Sequence, residues 1–341
     1  VVHAQFQHWF RQQSPSREII LETFYEAKPG LLKKSAIALG FFDGVHPGHK
    51  VVISKAVEEA KRLGATPAVV TFRDHPRLLT RGASPLLLTV IEQRLELFAA
   101  LGVEATLALS FTEDLCLLSP KQYVRSVLIE SMGAQSISVG YNHHFGKDRE
   151  GNPELLKEYG KEMGFEVHVA PMIHVDEAEV SSSRARELVM KGEVEGAQLL
   201  LTRPYAIYGE VVKGEGRGRK LGFPTANMQL YEYQCIPKGG VYMGRARLED
   251  GRIFTCVINV GYRPTFKPAP SPDGSAPKPT ANDLLVEVHI LDFDQFIYGQ
   301  KLYVEFLKYL RSEQKFDGIE SLKTQINLDC KSARDLARIQ V

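Results

Sequence analysis

Two histidines three residues apart follow an apolar run in Ile37-Ala38-Leu39-Gly40-Phe41-Phe42-Asp43-Gly44-Val45-His46-Pro47-Gly48-His49. Val52, Ala56, Ala60 and Leu63 then recur at helical spacing up to Gly64, a natural stop. A strand that runs through a tight turn into a helix N-terminus aims backbone N–H groups and the positive end of the helix dipole at one point. Phosphate binds at such points. Gly40, Gly44 and Gly48 let the backbone come close, Phe41 and Asp43 complete the turn, and His46 and His49 can reach negative oxygens. One histidine here would read as an ordinary cap. Two in His-Pro-Gly-His favour a nucleotide site.

Three further polar stretches belong with this one. Thr71-Phe72-Arg73-Asp74-His75-Pro76 puts His75 where a second apolar run ends, within reach of a nucleotide or an acceptor phosphate. Gly140-Tyr141-Asn142-His143-His144-Phe145-Gly146 follows a fourth run; its adjacent histidines lack a carboxylate or cysteine at ligand spacing, so a solvated loop outweighs a metal. Ser181-Ser182-Ser183-Arg184-Ala185-Arg186 is first a helix N-cap. Its hydroxyls, free N–H groups and arginines also suit a triphosphate.

The densest motif lies farther on, from Lys213 through Gly214, Glu215, Gly216, Arg217, Gly218, Arg219 and Lys220 to Leu221-Gly222-Phe223-Pro224-Thr225-Ala226-Asn227. It fits neither Gly-x4-Gly-Lys-Ser/Thr nor Gly-x-Gly-x-x-Gly. By its residues alone it could be a basic RNA-binding loop, a solvated hairpin, or a phosphate cradle closed by Thr and Asn as metal ligands. In Leu284-Leu285-Val286-Glu287-Val288-His289-Ile290-Leu291, alternation puts Glu287 and His289 on the face opposite Val286 and Val288.

The elements that must position these residues fall into two patterns. Apolar runs at 36–42, 67–72, 105–111, 136–140 and 166–170 alternate with helical patterns near 48–63, 91–101, 120–132 and 153–163. That alternation predicts a doubly wound parallel sheet, with ligands beyond the carboxyl ends of its strands. After a break at 199–204 the period changes. Runs at 205–213, 241–248, 252–260, 284–291 and 300–310 predict a small antiparallel barrel, closed by a terminal helix over 318–338. Domains of 1–200 and 201–341 follow. Residues 1–34 are weakly patterned despite Trp9 and Phe10, and 267–280, with five prolines, reads as a loop.

The totals exclude several classes. A balance of 42 Lys+Arg against 41 Asp+Glu in 341 residues gives no overall pull toward nucleic acid or anionic membrane. Cys116, Cys235, Cys256 and Cys330 are far apart, which favours a reduced protein over a disulfide scaffold. No run approaches the ~20 apolar residues of a membrane span, and the expected compartment is the cytosol.

His46-Pro47-Gly48-His49 resembles the His-x-Gly-His signature of the nucleotidyltransferase superfamily, and Gly40 to Val45 looks more specifically like the bifunctional riboflavin kinase/FAD synthetase family. The resemblance runs from Ile37 to the terminal helix. It implies an N-terminal nucleotidyltransferase domain and a C-terminal riboflavin kinase barrel, which make FMN from riboflavin and then FAD from FMN. Each step consumes ATP, with Mg²⁺.

Residue by residue, the resemblance implies nucleotide contacts at Gly40, Phe41, Asp43, Gly48, His75, Gly140, Asn142, Ser182 and Ser183, and catalytic stabilisation by His46, His49 and Arg186. In the barrel it implies a nucleotide cradle of Gly214, Arg217, Gly218 and Gly222, and Mg²⁺ coordination by Thr225 and Asn227. Glu287 becomes the general base, and Arg311 a flavin contact. Asn259 to Thr265 also fits the family pattern. Asp74 stands where the family has Pro, and His143 where it has Phe. The rival readings are one surviving activity, or a nucleotide- or RNA-binding protein built on 213–220.

Overall fold

The computed structural model describes residues 21–81, 84–175, 178–262 and 283–339. Trp9, Phe10, Arg263 to Thr265 and the Pro-rich stretch 267–280 lie outside the described residues.

Among the described residues, the first half is a six-stranded parallel sheet in the order β1-β4-β3-β2-β5-β6. The strands are β1 (Glu22–Phe24), β2 (Ser35–Leu39), β3 (Thr66–Phe72), β4 (Ala105–Leu109), β5 (Ala134–Gly140) and β6 (Glu166–Ala170). Helix α1 (Pro47–Leu63) crosses β2, β3 and β5 and ends on Gly64 in the left-handed conformation. α2 (Arg77–Arg81), α3 (Ile91–Ala100), α4 (Glu113–Leu117), α5 (Pro120–Tyr123) and α6 (Pro153–Met163) supply the other crossovers. The helix expected over 120–132 changes type after α5, and Val124–Ser131 is π-helical.

Every residue of β2 is buried, as befits a strand covered on both faces. Ile37 and Leu39 join one core with Val127, Leu128 and Ile137, while Ala38 joins another with Val52, Ile53 and Phe98. The direction of winding reverses between β2 and β5, because β3 lies on one side of β2 and β5 on the other. Ligands bind in the crevice such a reversal opens.

A short hairpin, β7 (His174–Val175) and β8 (Ala178–Glu179), leads to α7 (Ser182–Lys191) and α8 (Val194–Leu201). The break expected at 199–204 is in part the end of α8: its apolar face, Val194, Ala197, Leu200 and Leu201, packs into the second core. Helix propagation stops at Thr202, which is left-handed at φ 57°.

The second half is a closed antiparallel barrel in the order β10-β13-β12-β11-β14-β9. Its strands are β9 (Tyr205–Val212), β10 (Ala226–Leu230), β11 (Gly240–Arg247), β12 (Ile253–Tyr262), β13 (Leu284–Ile290) and β14 (Lys301–Arg311), with α9 (Arg217–Leu221) after β9. The sequence reading missed β10, whose short polar run lacks apolar alternation; pairing with β9 and β13 makes it a strand. Helix α10 (Ile319–Ile339) lies on the outside of β11 and β12 through Cys330 and Ala333.

Arg94 on α3 is fully buried. Nη1 donates to Phe41 O at 2.8 Å, Thr71 Oγ1 at 3.2 Å and Phe72 O at 2.9 Å, and Nη2 to Arg73 O at 2.9 Å. The guanidinium thus staples the carboxyl ends of β2 and β3 and lies 4.5 Å from the Phe41 ring centroid. Arg94→Met would strip the guanidinium from the Phe72 and Arg73 carbonyls, at about 1–3 kcal/mol each before relaxation, while Phe41 O keeps the Thr71 hydroxyl at 3.0 Å. Urea unfolding of the full chain is expected to show a loss of about 3–5 kcal/mol; a loss below about 1 kcal/mol contradicts the staple.

Candidate active sites

The first site forms where β2 ends. Gly44 and Val45 follow Phe42 through a turn in which all but Asp43 have positive φ, 57° for Phe42, 78° for Gly44 and 40° for Val45. A Cβ on Gly44 would lie 2.8 Å from the Leu88 side chain, so close approach and backbone conformation both require glycine. The turn delivers His46 to the N-cap of α1 and His49 to its first turn. Their rings stack at 3.6 Å between centroids, and among the described residues neither Nδ1 has a hydrogen-bond partner.

Burial lowers the His46 pKa to about 4, helped by the nearby charges of Arg203 and Lys50. His49 is pushed well below the ordinary imidazole value, again by burial first and then by His46 and Arg203. Both histidines are therefore neutral at pH 7.

Asp43 carries the turn. Its buried carboxylate accepts from Leu88 N at 3.1 Å, Thr89 N at 3.0 Å, Thr89 Oγ1 at 3.2 Å and Arg186 Nη2 at 3.0 Å. The Ser182 hydroxyl donates to Asp43 O at 2.9 Å, which brings the N-terminus of α7 beside that of α1. Ser181 is the N-cap itself, accepting from Arg184 N, so Ser182 and Ser183 occupy the first helical positions. Arg186 also donates from Nε to Leu86 O.

Two other loops leave the same end of the sheet. His75 stands after β3, edge-on to Phe41 at 4.8 Å, and its Nδ1 accepts from Arg77 N. Burial, then Arg77, lowers it to about 4. On the other side of β2, Gly140 ends β5 and exposed Asn142 follows it. His143, read as part of a solvated loop, instead stacks on Phe145 at 6.0 Å, and burial lowers it to about 4; His144 is the exposed one.

The structure adds residues that the sequence reading passed over. Thr89 closes the cage around Asp43, its hydroxyl donating to that carboxylate and accepting from Gly44 N at 2.8 Å. Lys50 donates to Thr202 Oγ1 at 2.5 Å, and Leu201 lies against Gly44, so the chain entering the barrel borders the first pocket. Thr89 and Arg94 gave no local signal, since each meets partners far away in sequence.

The second site is a cleft of about 680 Å³ between barrel and α10. Strand register sets Glu287 directly opposite Asn227 on one neighbour and Asn259 on the other. Thr225 Oγ1 lies 3.5 Å from Glu287 Oε1, and Asn259 hydrogen-bonds the same carboxylate. Burial raises the Glu287 pKa above the usual carboxylate range, partly offset by those two bonds. His289, two residues along, donates Nδ1–H to Pro224 O at 2.7 Å and so fixes the segment that carries Thr225. Asn259 lay within a stretch already matched to a family pattern, yet only register reveals that it faces Glu287.

Gly214, Arg217 and Gly218 line the same cleft, and Gly222 caps α9 at φ 91°. A Cβ on Gly214 would meet the Asn227 amide at 2.3 Å, and one on Gly218 the Phe223 carbonyl at 2.4 Å. Backbone thus replaces side chains around Thr225 and Asn227. The donor set there, a hydroxyl, an amide and a carboxylate, consists of hard oxygens that fit magnesium. Arg311 also lines the cleft, but its guanidinium is engaged with Asp329 of α10, Nε to Oδ1 at 2.9 Å and Nη2 to Oδ2 at 2.7 Å.

Comparison with known proteins gives both halves the same order. Residues 28–184 match the family described as FAD synthetase, and residues 201–337 the family described as riboflavin kinase. The bifunctional riboflavin kinase/FMN adenylyltransferase of Pseudomonas fluorescens is 37% identical over 300 residues, 88% of this chain and 92% of that protein. Its counterparts in Bacillus subtilis (strain 168) and Escherichia coli (strain K12) are 36% and 30% identical, each over 88% of this chain and 92% and 91% of their own. Among solved structures, a macrolide-efflux protein from Streptococcus pneumoniae superposes with TM-score 0.77 at 29% identity, covering 92% of this chain and 99% of that one. Among the described residues no helix is long and apolar enough to cross a membrane. The chain belongs to the bifunctional riboflavin kinase/FMN adenylyltransferase family.

Proposed function

We propose that this chain makes FAD from riboflavin in two ATP-consuming steps, with adenylyl transfer assigned to residues 1–200 and phosphoryl transfer to 201–341. The observation that carries this reading is the pair of separate phosphate-shaped sites. One is built on two convergent helix N-termini, and the other on a glycine-lined cradle beside a buried carboxylate. The four cysteines form no disulfide, which suits the cytosol, where we place the protein.

In the barrel, Glu287 takes the proton of the riboflavin 5′-hydroxyl as its oxygen attacks the γ-phosphorus of ATP, and ADP leaves. Asn259 and Thr225 orient the carboxylate, and Arg311, held by Asp329, borders the flavin. Thr225 and Asn227 would hold Mg²⁺, which when bound neutralises phosphate oxygens. In the sheet domain, a phosphate oxygen of FMN attacks the α-phosphorus of ATP, the bond to the β-phosphate oxygen breaks, and pyrophosphate leaves. Gly40, Phe41, Gly48, Ser182 and Ser183 position the nucleotide at the end of β2, with Gly140 and Asn142 on its β5 side. His75 faces the acceptor on the β3 side. His46, His49 and Arg186 stabilise the charge that develops, and no protein nucleophile is needed.

Incubation with riboflavin, ATP and Mg²⁺, followed by separation of the flavins, should yield FMN and then FAD. Accumulation of FMN alone would remove the adenylyl assignment, and unchanged riboflavin the kinase assignment. Asn227→Ala should lower FMN formation at least a hundredfold, about 3 kcal/mol of transition-state stabilisation, while added FMN is still converted to FAD. His49→Ala should do the reverse; loss of both activities from either change contradicts two independent sites.

The pH dependences follow from opposite shifts. Glu287 works ionised and its pKa is raised, so kcat/KM for riboflavin falls with acid already above the ordinary glutamate range. The histidines work neutral in the free enzyme and burial lowers His46 to about 4, so neither gives kcat/KM for FMN a limb near pH 6.5, and any limb there belongs to the phosphate of FMN, which titrates at about pH 6. An FMN limb between pH 6 and 7 that vanishes in His46→Asn would contradict the second statement.

A further inference from the structure

The connector between β10 and β11 belongs to the barrel, yet its bonds lie around the first pocket. Leu87 forms a parallel bridge with Gln234, with Leu87 N donating to Tyr233 O at 2.6 Å and Cys235 N to Leu87 O at 2.7 Å. The next two residues, Leu88 and Thr89, are the ones whose N–H groups hold Asp43. A second contact reaches the other side of the pocket, where Tyr231 Oη donates to Asp74 Oδ1 at 2.8 Å.

Asp74 is adjacent to His75. The chain there is also held by Arg73 N to Leu109 O at 2.8 Å and Arg94 Nη2 to Arg73 O at 2.9 Å before it, and by Leu78 N to His75 O at 2.8 Å and Arg77 N to His75 Nδ1 at 3.1 Å after it, but none of these bonds reaches the Asp74 side chain. The resemblance puts proline at 74, a residue whose ring fixes φ without any partner. Asp74 lacks that restriction and offers a carboxylate instead, and a phenol stands opposite it. Burial and the Asp74 carboxylate both push the Tyr231 phenol up, so it remains a donor at any physiological pH. A local covalent constraint is thereby exchanged for a tertiary hydrogen bond from the kinase barrel.

We propose that Tyr231 is a positioning residue for adenylyl transfer, its hydroxyl holding Asp74 and so setting His75 on the acceptor side of the pocket. The inference rests on the reading of His75 given above. A charge-assisted hydrogen bond of this kind is worth about a tenfold change in an equilibrium. It should appear in KM for the acceptor and leave the kinase untouched.

The test uses the full chain, measuring FAD formation from added FMN beside FMN formation from riboflavin. Tyr231→Phe should raise KM for FMN about five- to tenfold with kcat within about twofold, and riboflavin phosphorylation should keep its rate. Asp74→Ala should do the same, the double variant Tyr231→Phe/Asp74→Ala no more, and Asp74→Asn, which keeps an accepting oxygen, should retain most of the affinity. An unchanged KM in Tyr231→Phe overturns the proposal, as does an equal loss in both reactions, the sign of general barrel damage. His75→Ala separates the two levels. If it leaves KM for FMN unchanged, the acceptor-side reading fails. If it raises KM while Tyr231→Phe does not, only the tether fails.

Discussion

A buried carboxylate that accepts four hydrogen bonds organises the first half of this protein. Asp43 is nearly inaccessible, and a charge in that setting survives only where donors surround it. The donors come from two distant stretches, Leu88 and Thr89 from one, Arg186 from the other. Satisfying one charge therefore fixes three pieces of chain: the turn bearing His46, the approach to α3, and the N-terminal end of α7. Since Leu87 is also bonded to the barrel, the same charge fixes where the second half sits.

Arg94 is the complement of Asp43. One is a buried cation whose Nη atoms bond mainly to carbonyls while its Nε has no partner among the described residues, the other a buried anion held partly by N–H groups. Together they freeze the carboxyl ends of β2 and β3, where the chain has left the sheet ladder and has orphan backbone groups. A phosphate site needs such rigidity, because positioned dipoles assist transfer only if they do not reorganise when charge moves. The barrel reaches the same end by other means. Antiparallel register places Asn227, Glu287 and Asn259 side by side, and glycines bring backbone up to them.

Much of this was legible in the sequence, for reasons visible in particular residues. Strands β2 to β5 were found because they are largely buried on both faces and read as apolar β-rich runs, whereas the half-exposed edge strand β6 shows only the alternation of Val167 and Val169. α1 was found from its apolar spacing and Gly64 stop, and the barrel from alternation such as that around Glu287. β10 escaped because five residues of mixed polarity carry no period. Asp43 was read as facing a nucleotide, whereas its carboxylate is turned into the protein; a polar residue in a turn does not announce which way it points. Arg94, Thr89 and the pair Asp74–Tyr231 were beyond reach, since their partners lie between 21 and 157 residues away and leave no local pattern.

The central claim is that one chain holds two separate ATP sites of different construction. Crystals of the full chain grown with a non-hydrolysable ATP analogue and Mg²⁺ test it most directly. The account predicts one triphosphate with its terminal phosphate beside Thr225, Asn227 and Glu287, and a second with its α-phosphate between His46, His49 and Arg186. A fully bound analogue in neither place, or a single molecule shared between them, would contradict it.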